Sequence, residues 1–146
     1  MELKANLLDL LSTFKTAEIL IHKIYVNTNP TIYVLIQAYT KYAVAYEEIA
    51  DRVAGLIGIE SLDLQKIILN QLTILDELKT FDELNETQRT LAIEGYCLLK
   101  AKASLELVNA LKKRKDNKMH LLTLKNCLER IVTDISDDIE SLKTLK

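Results

Sequence analysis

Leu3, Leu7, Leu10, Phe14, Ala17, Ile21 and Ile24 follow one another at spacings of four, three, four, three, four and three. Residues spaced this way fall on one side of a helix, and that side is stable only when another helix covers it. The pattern returns over Ile32, Ile36, Tyr39, Ala43, Tyr46, Ala50, Val53 and Ile57, with Leu35, Tyr42, Ile49 and Leu56 widening it on one flank. A chain written this way is a helical bundle. The 146 residues, with one Pro and three Gly, fit one domain over 1–146 made of long helices with short joints. The expected fold is all-α: an antiparallel up-and-down bundle of four long helices plus one shorter helix.

Turn chemistry sets the expected boundaries at about 3–25, 30–57, 62–79, 86–114 and 118–145. Asn29 before Pro30 is a cap followed by a first-turn proline, and Gly58 is the natural left-handed terminator of the second helix. Ser61, with Asp63 close behind, is the expected cap of the short third helix, whose inward residues read as Leu64, Ile67, Ile68, Leu72, Leu75 and Leu78. Phe81 is expected to plug the end of the core. Asn85 and Gln88 resemble a capping box at the start of the fourth helix, whose inner face reads as Ala92, Gly95, Tyr96, Leu99, Ala103, Leu107 and Ala110. Residues 115–118 are the expected last turn, although a continuous helix there is not forbidden. The final helix carries Leu121, Leu124, Leu128, Ile131, Ile135, Asp138, Leu142 and Leu145 in one row. Asp138 interrupts it, and the expectation is that Ile139 takes over the inward position; a buried functional carboxylate is the alternative.

Charge narrows the function classes. A net charge of −2 supplies no general field for nucleic acid or an anionic membrane. No secretory pattern opens the chain and no apolar run reaches the ~20 residues of a membrane span, so a cytoplasmic location is expected. Cys97 and Cys127 have no CxxC neighbour and read as buried small hydrophobes, the alternative being a disulfide between the last two helices.

Chemistry leaves little trace. Neither His22 nor His120 sits in the Glu-x-x-His of a carboxylate-bridged di-iron bundle; His22 follows Glu18, and His120 follows Asp116, at the four-residue spacing of local surface pairs. No phosphate-cradling glycine loop or nucleophile elbow is present, and Ser12, Ser61, Ser104, Ser136 and Ser141 read as helix surface or caps. Glu47, Glu48 and Asp51, and the later group Asp134, Asp137, Asp138 and Glu140, read as solvated acidic faces. No catalytic residue, metal ligand or cofactor is therefore expected.

Two features remain for a partner. Lys112, Lys113, Arg114, Lys115 and Lys118 put five bases in seven residues near a helix C-terminus, a setting that can grip phosphate or an acidic protein surface. Tyr39, Tyr42 and Tyr46 share one helix face, either as core edge or as interface aromatics. These features favour a non-enzymatic protein-protein interaction module that self-associates or binds another protein. The alternatives are a carrier of an apolar ligand within the bundle and weak nucleic-acid binding through 112–118.

Leu- and Ile-rich helices with scattered Thr, Asn and Tyr, joined by the capped turn Asn27 to Pro30, resemble the small four-helix-bundle proteins of viruses of thermophilic archaea. The resemblance lies in architecture and composition and transfers no residue as a site. It implies a virion component or an inhibitor of host RNA polymerase, in host cytoplasm or particle.

Overall fold

The computed structural model describes residues 2–26, 33–58, 63–111 and 118–144, and their side chains except at positions 2, 33–39, 57 and 118–120. These residues form five α-helices with no strand among them: α1 (Glu2–Val26), α2 (Tyr33–Ile57), α3 (Leu64–Leu78), α4 (Glu86–Leu111) and α5 (Lys118–Lys143). A 3-10 turn, Lys79–Phe81, extends α3. The expected caps at Asn29, Pro30 and Ser61 lie outside the described residues, as does the question of a turn over 115–118.

Where the caps are described, the local chemistry is clear. Gly58 has φ 96°, a conformation that an added Cβ would strain, and its amide bonds the Ala54 carbonyl at 3.1 Å to close α2. Asp63 caps α3 by accepting the Lys66 amide at 3.1 Å. Asn85 Oδ1 does the same for Gln88 at 2.8 Å and starts α4.

Four helices close a ring of contacts in which α1 touches α2 and α4, and α5 touches the same two; α3 rests outside the ring on α1. The α1 row from Leu3 to Ile24 is wholly buried. So is a second α1 face made of Ser12, Thr13 and Thr16. Their hydroxyls donate to the carbonyls of Leu8, Asp9 and Ser12 at 2.7–2.8 Å, so these polar residues enter the interior already satisfied. This lets α1 be covered from two sides, and Ser12 is not a surface residue as expected.

Three inward faces differ from the expected ones. On α4 the buried row is Thr90, Ile93, Glu94, Cys97, Ala101, Ser104 and Val108, while Ala103 and Ala110 are exposed and Leu99 stands 72% exposed. The apolar-looking side of α4 points out because its polar side is tied inward: Ser104 Oγ donates to Asn6 Oδ1 at 2.6 Å, and Lys100 pairs with Asp9 at 2.8 Å. On α2 the expected flank is the centre, with Tyr42, Ala45, Ile49 and Val53 buried and Ala43, Tyr46 and Ala50 half-buried. On α3 only Ile67, Ile74 and Leu78 are buried, because the surface of α1 covers one side of a short helix whose apolar arc is wider. Phe81 is half-buried and stands apart from the main core.

Candidate functional site

Two features of the molecule depart from an ordinary bundle. The first is a polar group in the core. Glu94 of α4 is fully buried and accepts a 3.2 Å hydrogen bond from Tyr42 of α2, itself 1% exposed. Tyr42 also stacks at a tilt on Phe14 of α1, with ring centroids 5.7 Å apart. Asp138 of α5 faces Glu94 and is 6% exposed, so the α5 row does pass through it and Ile139, half-buried, does not replace it. What admits Asp138 is Lys41, whose ammonium lies 2.8 Å from Asp138 Oδ1 and donates to the Asp134 carbonyl at 3.3 Å.

One oxygen on each carboxyl, Glu94 Oε2 and Asp138 Oδ2, has no donor. Burial, and then the neighbouring Asp138 carboxylate, raises Glu94 from its ordinary 4.5 to about 8, against the pull of the Tyr42 hydroxyl and the Lys41 ammonium. Glu94 therefore holds a proton at neutral pH, and that proton is the donor the facing carboxylate lacks. Burial also raises Tyr42 and Cys97, which keeps the hydroxyl and the thiol protonated beside it. The group links α2, α4 and α5, with Glu94, Tyr42 and Asp138 inside the core and Lys41 at its edge.

The second feature is on the outside. Leu64, Ile68, Leu69, Leu72 and Leu75 of α3 are between 38% and 65% exposed. Four of them, Leu64, Ile68, Leu72 and Leu75, recur at four, four and three residues, which puts them within one side of the helix, next to the buried row Ile67, Ile74 and Leu78. Five large aliphatic side chains left this bare amount to roughly 400–500 Å², in the upper part of what the largest patch on an ordinary monomer reaches. Beneath the end of α3 a groove of 260 Å³ opens between Leu20 and Ile24 of α1, Leu75 and Leu78 of α3, and Arg89 and Ile93 of α4. Tyr96 holds the other edge of α3 through a 2.5 Å hydrogen bond to Glu77.

The residues singled out in the sequence fall elsewhere. Tyr42 is core and cannot act as an interface aromatic; Tyr46 is half-buried under Lys15, whose ammonium lies 5.4 Å from its ring; the Tyr39 side chain is outside the described residues. Lys112, Lys113, Arg114 and Lys115 also lie outside them, as does the side chain of Lys118. Ser104 is buried rather than on the surface. Glu48 is not merely solvated, because it pairs with Arg130 and accepts from the Cys127 thiol at 3.6 Å, tying α2 to α5. Both cysteines are buried and free. Glu18 pairs with Lys15 at 3.3 Å, and Asp116 is outside the described residues.

Among the described residues, no three His, Cys, Asp or Glu side chains gather as metal ligands, and no helix is long and apolar enough to cross a membrane. Comparison of the chain with protein-family models, with curated proteins and with solved structures finds no match.

Proposed function

We propose that this protein works by contact, as a non-enzymatic module that self-associates or binds another protein, and that the contact surface is the bare side of α3. The single observation behind this reading is the row Leu64, Ile68, Leu72 and Leu75, with Leu69 at its edge, left exposed on a helix whose other side is packed. A monomer gains nothing from such a row. Placing a partner over it removes apolar surface from water at about 25 cal/mol per Å² before the losses of association.

The rest of the molecule is a platform for that helix. We read α1, α2, α5 and α4 as an antiparallel up-and-down bundle, because partner numbers fall on one helix as they rise on the next. Asn6 and Asp9 meet Ser104 and Lys100, while Lys41 and Glu48 meet Asp138 and Arg130. The resemblance to small bundle proteins of archaeal viruses would make the contact either particle assembly or a hold on a host machine such as RNA polymerase.

The test is retention on immobilised chain. Wild-type resin should hold either more of the same chain or a second protein from the source extract, and resin carrying Ile68→Glu with Leu72→Glu should hold neither. Equal retention on both resins, or none on wild type, would overturn the reading. A second reading, carriage of an apolar ligand, is favoured by the 260 Å³ groove with its Leu20, Ile24, Leu78 and Ile93 walls. Lipid found by mass spectrometry in purified protein at one per chain would support it, and protein free of lipid would remove it.

A further inference from the structure

The carboxyl pair in the core lies one side chain away from a cavity. Between α2 and α5 a space of 40 Å³ runs from Val44 and Arg130, both more than half exposed, inward to Tyr42 and Ile135, each 1% exposed. That is room for a few water molecules. Tyr42 lines this space and also donates to Glu94, while Lys41 lines it and also holds Asp138. Water entering it reaches the hydrogen-bond partner of each carboxyl.

The seam around the cavity is tied by bonds that water can replace. Lys41 reaches from α2 to Asp138 and to the Asp134 carbonyl, and Glu48 reaches Arg130 and the Cys127 thiol. In the closed seam Glu94 keeps its proton and shares it with the carboxylate it faces. Without that proton, two carboxylates face each other beside Lys41, each with an oxygen that no donor reaches. Buried charge left in that state is costly, and hydration relieves it. The groups that act on Glu94 are Asp138 from α5, which favours the proton, and Tyr42 and Lys41 from α2, which oppose it; Cys97 stands beside it on α4. From α1 comes the Phe14 ring against Tyr42, and the ion pair of Asp9 with Lys100 of α4 stands farther along.

We infer that the seam between α2 and α5 is a pH-gated opening: when Glu94 gives up its proton, water enters through the cavity and α5 parts from α2, uncovering Tyr42 and the Cys97 thiol beside it. The open form, with Glu94 in water, releases the proton near 4.5, whereas the closed form holds it to about 8. Opening therefore grows with pH between these values, by up to about tenfold per unit, and levels off above them.

Cys97 is the reporter, since it is buried and free in the closed form. Alkylation by iodoacetamide is read at Cys97 by mass spectrometry of its peptide, and the ratio of wild type to Glu94→Gln cancels the pH dependence of the thiol itself. That ratio should rise at least about tenfold from pH 6 to pH 8. Asp138→Asn puts an amide donor where the like charge stood. It should blunt the rise as well, and it takes the place of the glutamine variant if that one loses its helical circular dichroism. A thiol across the ring from α5, Ser12→Cys on α1, reports unfolding of the whole chain and should react at least about tenfold more slowly than Cys97 at pH 8. A ratio that stays flat with pH would overturn the gate. Equal rates at positions 12 and 97 would overturn it too, because Cys97 would then be reached only when the whole chain unfolds.

Discussion

Glu94 carries the most consequence per atom. Its carboxyl is raised to about 8 by burial and by Asp138, so the folded chain holds a proton that the unfolded chain releases near 4.5. The stability this supplies is complete below pH 4.5 and is lost as pH climbs through about 8, at a rate of up to ~1.4 kcal/mol per pH unit. Unfolding by urea at pH 5, 6, 7 and 8 should therefore show wild type weakening relative to Glu94→Gln as the pH rises. The glutamine keeps the shape and stays neutral, so its own curve lacks this loss. Parallel curves for the two proteins would mean that Glu94 is ionised in the fold. Little of this was legible in the sequence. A glutamate between Ile93 and Gly95 looks like helix surface, and its neighbours Tyr42 and Asp138 lie 52 and 44 positions away along the chain. The signal available was Asp138 itself, a polar residue in an otherwise apolar row, which implies a buried partner for whatever faces it.

At the scale of elements, periodicity located all five helices, and it found the inward row of α1 and most of that of α5, where Leu and Ile dominate, but it misplaced Asp138, which stays inward while Ile139 is half-buried. It failed on α4, whose buried row contains Thr90, Glu94, Cys97 and Ser104, because hydrophobicity alone cannot register a hydroxyl that bonds its own backbone or a serine met by Asn6. It failed differently on α3. There the apolar arc was read correctly as apolar, but burial depends on how much of the arc a neighbour covers, and that is tertiary information. The two sides of α3 should consequently behave as different materials. Ile74→Ala, in a filled site, should lower unfolding free energy by about 2–4 kcal/mol, whereas Leu72→Ala, two residues away on the opposite side of the helix and 59% exposed, should stay within about 0.5 kcal/mol in a monomer at low concentration. Similar losses in chemical denaturation would show that Leu72 is covered within a single chain.

For the molecule as a whole, the ring of α1, α2, α5 and α4 supplies a rigid wall, and α3 is fastened to its outside by one row of side chains while presenting another. The all-α class was legible in the spacing of the first 24 residues. The contact surface was not, since Lys112 to Lys118 and the tyrosines draw the eye by residue type, whereas a bare leucine row is distinguished from a covered one only by the fold. The most direct test of a contact protein acting through α3 uses an equally exposed leucine as its control. Retention on immobilised chain should be abolished by Ile68→Glu with Leu72→Glu, weakened by Leu72→Glu alone, and unchanged by Leu99→Glu, which places the same single charge as the latter on the outer side of α4. If the Leu99 variant loses retention as fully as the α3 variant, or if neither does, the surface lies elsewhere and the account of α3 is wrong.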